Sequence, residues 1–292
     1  MLSQENIYYL EKGSEVFWKK QMKKKENQKF ANDINIILKK YGIQKTINHT
    51  HLVMIKSPGM DNLSLSYFQN RKEDINRLAK IVENHIWNNP EENTYIYHFT
   101  KEEFAKSIES SKKLRLYNLF KRYDDGEIKD FLKDFSIPYE IKENYENIFY
   151  SSFTSKIPNL SDTNIINKFR NFTGNYGARL KFKVLKKDNN FRYINYDKNK
   201  FNLIHDLRKT IKDNHQVDLT INGFTTRFAS FYVNEKYSHE NEVRLYKNLL
   251  FDQEFIIQKD KNDFSYIDFN LNNQTLVLEE IIYERDEEIF EA

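Results

Sequence analysis

A short charged run near the C-terminal end, residues 238–245, holds the side chains best suited to chemistry. If this run is extended, Glu240, Glu242 and Arg244 project from one face, because strand side chains alternate between faces. An arginine beside a carboxylate keeps it ionised, so that it can face a positive charge that develops during a reaction. The same residues also fit a surface ion pair worth only about 0–1 kcal/mol. The sequence leaves both interpretations open.

Two upstream segments are predicted strands whose polar side chains suit the same cleft. Residues 95–99 form an aromatic run that contains His98, and residues 148–155 hold a stretch rich in serine and threonine. A neutral histidine ring can donate one hydrogen bond and accept another. Hydroxyls on both faces of one strand indicate a polar cleft, although strand hydroxyls more often make cross-strand pairs. A lone histidine at a strand end is likewise more often structural than catalytic.

The composition excludes several classes of site. The 292 residues contain no cysteine, which rules out disulfides, thiolate metal sites and a cysteine nucleophile. Glycine occurs only 7 times, and neither GxGxxG nor GxxxxGK[ST] is present, which argues against the glycine-rich phosphate-binding folds. No apolar run approaches the roughly 18 residues that span a bilayer, and the first residues lack the order of a signal peptide. We therefore expect a cytoplasmic protein without membrane contact.

The formal net charge is only +3, but the basic residues are unevenly distributed. Five lysines cluster near the start of the chain: Lys19, Lys20, Lys23, Lys24 and Lys25. Such a cluster can contact nucleic-acid phosphates. A lysine run on a helix is more commonly its solvated face. Nucleic-acid contact by this region is therefore the less favoured of two interpretations.

The periodicity of apolar residues predicts an α+β fold in two parts. Residues 1–93 are predicted to be a mostly helical N-terminal region, with helices at 4–40 and 71–88 and a strand at 51–56. From 94 to 292, strands are predicted at 95–99, 114–117, 148–155, 178–184, 192–196, 243–248, 255–257 and 276–284. Helices are predicted at 127–135, 162–173 and 199–213, and residues 228–233 are predicted to be helical or extended. A further helix is predicted to begin at Thr100, with Glu103 completing a capping box.

The order of these features resembles the ADP-ribosyltransferases and, more narrowly, the bacterial family of unknown function DUF2971. The resemblance covers about residues 94–285 and leaves 1–90 unexplained. It rests on the Tyr97-His98-Phe99-Thr100 strand, the Leu114-Arg115-Leu116 strand, the aromatic helix with Phe169 and Phe172, Gly177, the run from Glu240 to Arg244, and the strand at 278–282. The chain departs from the family pattern at Asp124-Asp125-Gly126, in the spacing before Gly177, and in lacking a tryptophan before the Glu pair.

The resemblance implies split sheets around a cleft and cleavage of the nicotinamide–ribose bond of NAD, which is consumed as the donor. No metal is required. The transition state of such a cleavage is oxocarbenium-like, as in glycoside hydrolysis. Glu242 would hold the ribose 2′-hydroxyl and stabilise the cation, and Glu240 would orient or deprotonate the acceptor.

The other implied roles concern binding of NAD. His98 would position a ribose hydroxyl, while Ser152 or Thr154 would brace Glu242 or the ribose. Aromatic rings at Tyr97, Phe99 or Tyr117 would stack on nicotinamide. Thr100 and Arg244 would complete the cofactor-binding set. The acceptor would be a protein or a nucleic acid, and a role as a toxin or antiphage effector follows as a weaker hypothesis.

Three alternatives remain open at this point. The chain can be a catalytically silent module that binds nucleic acid or protein, with its lysines and aromatic residues supplying contacts and stacking. It can also hydrolyse NAD, with water as the acceptor. A metal-dependent nuclease using Asp124, Asp125 and Glu127 is the third alternative, although that acidic segment is more simply interpreted as a turn.

Overall fold

The computed structural model describes residues 24–57, 60–65, 77–120, 127–135, 145–157, 177–221, 224–249, 254–271 and 275–283. The chain divides into two compact units. The first unit takes residues 1–86 and 198–227, and the second takes 87–197 and 228–292. A single domain boundary after residue 93 was predicted from the sequence. Residues 198–227 were therefore not expected to belong to the first unit.

The described residues combine helices and strands, as an α+β chain does. Their α-helices are α1 (Lys24–Lys40), α2 (Arg77–Ile86), α3 (Glu102–Ser111), α4 (Glu127–Asp134), α5 (Asn202–His215) and α6 (Phe224–Ser230). The strands are β1 (Val53–Ser57), β2 (Met60–Leu65), β3 (Tyr95–Lys101), β4 (Lys113–Asn118), β5 (Ile148–Thr154), β6 (Gly177–Val184), β7 (Phe191–Tyr193), β8 (Asp218–Ile221), β9 (Glu242–Asn248), β10 (Gln258–Lys259), β11 (Ser265–Asn270) and β12 (Leu276–Tyr283). Short 3-10 helices occupy His49–His51, Lys198–Phe201 and Glu235–Glu240. Within this part of the chain, no helix is both long and apolar enough to cross a lipid bilayer.

The first unit joins a small sheet to packed helices. Strand β2 pairs antiparallel with β1 and parallel with β8. Helix α1 packs against α5, where the ring of Phe30 lies 4.4 Å from that of His215. At the other end of this contact, Lys40 Nζ lies 2.7 Å from an Asp206 carboxylate oxygen. The sequence predicted both helices and β1, but it did not predict β2 or β8.

The second unit is built on a forked antiparallel sheet with β5 at its centre. One edge of β5 pairs with β9, which in turn pairs with β7. The other edge pairs with β4 at the start of β5 and with β3 at its end, where Tyr97 faces Thr154. From β4 the sheet continues to β11 and β10, and from β3 it continues to β6 and β12. The result is a curled half-barrel with two separate arms.

One face of the forked sheet forms the core of this unit. Its strands alternate buried apolar residues with more exposed polar ones, most clearly in β6. Helix α3 covers this face with Ala105 and Ile108. The ring of Phe153 lies 5.6 Å from the rings of both Phe182 and Phe191, so β5, β6 and β7 meet in one aromatic cluster. Burial of each such side chain stabilises the fold by about 1.5–3 kcal/mol.

Two local predictions were wrong. Thr100 does not cap a helix, because β3 extends through it and pairs it with Ala178. Helix α3 therefore begins at Glu102, and its N-cap Lys101 makes no side-chain capping bond. Residues 255–257 are not a strand, and pairing in that region begins at Gln258. The helix predicted at 162–173 lies outside the described residues.

Candidate functional site

The fork of the sheet encloses a groove of about 500 Å³. It opens where β3 and β4 diverge from β5, and α3, which connects these two strands, forms one wall. Its volume lies within the range of about 300–1,000 Å³ that is typical of small-molecule sites. Five residues proposed from sequence line it: His98, Phe99, Thr100, Tyr117 and Ser152.

The His98 side chain is held in one tautomer. Its Nδ1 lies 2.8 Å from the carbonyl oxygen of Ser152, which can only accept, so Nδ1–H donates. Burial lowers the pKa of His98, and this hydrogen bond opposes that shift only in part. The imidazole is therefore neutral at neutral pH. Its Nε2 carries a lone pair and has no hydrogen-bond partner among the described residues, so it can accept from a ligand hydroxyl.

Ser152 connects the groove to the carboxylate of Glu242. The Ser152 hydroxyl donates to Oε1 of Glu242, the first residue of β9. The same residue lines the groove, and its backbone carbonyl holds His98. Histidine, serine and glutamate, which lie far apart along the chain, are thus linked in one series of contacts.

Arg244 anchors the carboxylate of Glu242 with its guanidinium. Its Nε and Nη2 lie 2.6 and 3.0 Å from the two oxygens of Glu242, a bidentate pair. Nη1 donates to the Ser230 carbonyl at 2.9 Å, and Nη2 also lies 3.1 Å from Glu127 Oε2. The guanidinium carbon lies 5.2 Å from the ring centre of Tyr150. Every guanidinium nitrogen therefore has an acceptor.

The charge of this cluster is net negative, since two carboxylates share one guanidinium. Arg244 is 0% exposed, and desolvation alone would lower its pKa. The charges of Glu127 and Glu242 outweigh this effect and raise the pKa of Arg244 above its usual value. Nearby, the Tyr196 hydroxyl accepts a hydrogen bond from the Glu242 backbone N–H at 2.9 Å, and burial, followed by the charge of Glu242, raises the pKa of Tyr196. The bidentate pair with Arg244 and the hydrogen bond from Ser152 favour the ionised form of Glu242.

The register of the strands places His98 and Glu242 on opposite faces of the sheet. Tyr97 faces Thr154, and Thr154 faces Glu242, so these three side chains share one face. His98 follows Tyr97 in a regular strand and therefore projects from the other face. Glu242 is 6% exposed and does not line the groove. Ser152 is the link between the two sides.

Glu240 does not lie on the strand with Glu242. It ends a 3-10 helix, and Asn241, in the left-handed region at φ 45°, separates it from β9. The alternation that was expected to align Glu240, Glu242 and Arg244 therefore holds only for the last two. Thr154 does not brace Glu242 either, since its hydroxyl lies 2.8 Å from the Glu240 carbonyl oxygen and holds this turn instead.

The structure thus divides the residues proposed from sequence into two sets. Five line the groove, as named above, and five do not: Tyr97, Thr154, Glu240, Glu242 and Arg244. Sequence reasoning did not assign Glu127 to Arg244, because their contact joins positions 117 residues apart. It also missed Arg115, a lining residue whose place in an alternating strand was its only signal. Of the lysine cluster at 19–25, only the helical backbone of Lys24 and Lys25 falls within the described residues.

No family model, curated protein or solved structure matches this chain. The chemistry of the groove therefore has to be argued from its own side chains. Within the described ranges, no group of three or more His, Asp or Glu side chains is placed to hold a metal ion. Asp124 and Asp125, part of the alternative nuclease site, lie outside those ranges.

Proposed function

We propose that the groove binds NAD and that the protein cleaves its nicotinamide–ribose bond, transferring ADP-ribose to a macromolecule. One observation carries the proposal: Ser152, at the groove, holds the neutral His98 through its carbonyl and the ionised Glu242, on the opposite face of the sheet, through its hydroxyl. Ser152 lies 54 residues from His98 and 90 from Glu242 along the chain. Buried polar groups collected in this way at a cleft are typical of functional sites. The forked sheet also agrees with the split sheets that the resemblance to ADP-ribosyltransferases implies.

The remaining lining of the groove suits a dinucleotide. Lys101, Lys113 and Arg115 supply positive charge for a diphosphate, and they outnumber the lining carboxylate Asp268, which lies 3.7 Å from Lys113 Nζ. Tyr117 and Tyr266, with ring centres 6.0 Å apart, offer aromatic surface to a base. Arg115 lies 4.4 Å above the Tyr266 ring, which keeps its guanidinium at the groove wall. His98 Nε2 is an acceptor for a ribose hydroxyl.

In the proposed reaction, the bond between ribose C1′ and the nicotinamide nitrogen breaks. Its electron pair goes to nicotinamide, which loses its positive charge, while the ribose becomes oxocarbenium-like. Ser152 donates a hydrogen bond to Glu242, so the lone pairs of its oxygen are available to accept a hydrogen bond from the ribose 2′-hydroxyl. The net negative cluster behind Ser152 then stabilises the cation electrostatically.

The second half of the reaction forms a bond between C1′ and a nucleophile of the acceptor. The nucleophile gives up a proton, and the resemblance assigns its acceptance to Glu240. Glu240 is half-buried in the turn before β9, close to Tyr196, whose pKa its charge helps to raise. If water replaces the macromolecule, the same chemistry yields free ADP-ribose.

A matched pair of variants tests this function. Both Glu242→Gln and Glu127→Gln remove a carboxylate from Arg244, but only Glu242 touches Ser152. We expect the intact protein to release nicotinamide from NAD in the presence of cell lysate. Glu242→Gln abolishes this release, whereas Glu127→Gln lowers it far less.

The label on NAD separates the remaining alternatives. If NAD is labelled in its ADP-ribose part, we expect the label to appear in the macromolecular fraction. If all of the label is recovered as free ADP-ribose, the protein is a hydrolase. Absence of any nicotinamide release from the folded, intact protein would overturn the proposal and favour the silent binding module. A role as a toxin predicts growth arrest on expression of the intact protein and normal growth with Glu242→Gln.

A further inference from the structure

The outer face of the β3–β6–β12 arm alternates aromatic and basic side chains. Tyr95, Tyr97 and Phe99 share this face of β3, since they are two residues apart in a regular strand. Opposite them on β6 lie three basic residues in register: Lys183 faces Tyr95, Lys181 faces Tyr97 and Arg179 faces Phe99. We name these six residues the basic–aromatic face, of which Phe99, at one end, also lines the groove. Its three aromatic side chains are spaced about 7 Å apart along the strand.

Two cation–π contacts hold cations of this face over its aromatic rings. Lys181 Nζ lies 4.4 Å from the ring centre of Tyr95, and the Arg179 guanidinium carbon lies 5.8 Å from that of Tyr97. Tyr95, the first residue of β3, is a large aromatic residue and is 40% exposed. One exposed ring, Tyr95, and two half-buried rings, Tyr97 and Phe99, lie beside cations and form a surface suited to a ligand that has both flat rings and negative charge.

Arg179 has unused hydrogen-bonding capacity. Its Nε is buried and lacks a hydrogen-bond partner among the described residues. No carboxylate of the described chain forms an ion pair with it. The guanidinium as a whole is half-buried, so its accessible part, which faces no carboxylate of the described chain, can contact a phosphate.

We propose that the basic–aromatic face binds single-stranded nucleic acid. Proteins that bind single strands combine a positive track for phosphates with aromatic side chains on which successive bases stack. The three rings in one row and the three cations in the next reproduce that combination. A duplex is disfavoured, because its bases are already stacked on each other and cannot meet the rings. The binding goes beyond the proposed enzymatic function and does not depend on it.

One acid weakens the positive charge of the face. Glu280 of β12 lies opposite Lys181, with a 3.9 Å separation between its carboxylate and the ammonium. Glu279 lies at the register shift beside it. Three cations against Glu280 still leave the face positive. Replacing Glu280 by glutamine is therefore expected to tighten binding, an effect that general damage to the fold does not produce.

Fluorescence anisotropy with labelled DNA and RNA oligonucleotides of about 12 nucleotides tests the proposal on the full chain. We expect binding that weakens as the salt concentration rises, and weaker binding to a duplex of the same length. The DNA and RNA single strands together decide which sugar is preferred. Binding to neither at low salt overturns the proposal.

Three variants assign the binding to the face. Lys181→Glu with Lys183→Glu is expected to weaken it at least tenfold and to reduce its salt dependence. Tyr95→Ala is expected to weaken it about fivefold or more, which is the loss of one stacked base. The control, Lys80→Glu with Lys209→Glu, makes the same charge change at two exposed lysines of the other unit and leaves affinity near that of the intact protein. Circular dichroism confirms that each variant is folded.

The outcomes separate this proposal from the proposed enzyme. The double lysine variant on the face is expected to release nicotinamide from NAD as the intact protein does. Equal loss of oligonucleotide affinity in the face variant and in the control would show non-specific charge attraction and would overturn the proposal. So would unchanged affinity in Tyr95→Ala.

Discussion

The two sides of strand β5 differ in how completely their polar groups are paired. Towards β9, the buried Arg244 meets Glu242, Glu127 and the Ser230 carbonyl, and no guanidinium nitrogen is left without an acceptor. Towards the fork, His98 uses one ring nitrogen to bind β5 and leaves the other open to the groove. The side towards β9, which we call the saturated side because its guanidinium nitrogens are all paired, supplies a rigid structure and a constant charge. The side towards the fork, which we call the open side, has an unused hydrogen-bond acceptor that a ligand can bind.

The largest predicted effect comes from breaking the saturated side. Arg244→Met leaves the buried Glu242 and the half-buried Glu127 without their cation, so we expect the free energy of unfolding to fall by about 3–5 kcal/mol. Urea denaturation measures this change. As a control, Lys187→Ala removes a pair of similar length (2.8 Å to Glu91) that is more than half exposed, and we expect a loss of only about 0–1 kcal/mol. Equal losses in the two variants would contradict the difference drawn between buried and exposed pairs.

On the open side, a smaller effect is predicted and it falls on binding. Arg115→Gln removes a groove-lining cation that rests on Tyr266, so we expect NAD to bind at least about tenfold more weakly with little change in stability. Isothermal titration calorimetry measures the dissociation constant. Lys186→Gln, at an exposed lysine that does not line the groove, serves as the matched control. If both variants bind NAD equally, Arg115 has no part in the site.

The smallest effect concerns pH and depends on the neutral state of His98. Its pKa is lowered in the folded protein, chiefly by burial, so below about pH 6.5 the unfolded chain takes up a proton that the folded chain does not. Stability is therefore retained above that pH and lost as pH falls towards the folded pKa. His85, whose pKa burial also lowers, contributes in the same direction.

Comparison with His98→Gln isolates the contribution of His98. Glutamine does not titrate, so the variant should lose less stability between pH 7.5 and 5 than the intact protein does. Unfolding by urea at several pH values measures the difference. Parallel stability–pH curves for the two proteins would show that His98 is not a buried neutral group.

Sequence reasoning succeeded where periodicity is strong. The alternation in residues 178–184 predicted β6, and the apolar spacing in 127–135 predicted α4. It failed where a short strand forms only because it pairs with a strand that is distant in the sequence. Strand β8 is only four residues long and pairs with β2, which is distant in the chain, so its local pattern carries little signal.

The residues of the site were easier to predict from the sequence than their arrangement in space. Residue types and the family resemblance together brought His98, Ser152 and Glu242 forward as candidates, and the structure links them. The opposite faces of His98 and Glu242 depend on the pairing of Tyr97 with Thr154. That register arises from packing of the whole sheet, so no local pattern reveals it. The break at Asn241 that removes Glu240 from the strand is equally invisible in an alternating run of charges.

Closing the groove tests the central claim most directly. Ser107 and Ser110 are both exposed serines of α3, but only Ser107 lines the groove, so Ser107→Trp fills it and Ser110→Trp does not. In a calorimetric titration with NAD, we expect the intact protein and Ser110→Trp to bind alike and Ser107→Trp to show no binding. Binding of NAD by Ser107→Trp with unchanged affinity, or no binding by the intact protein, would contradict the account.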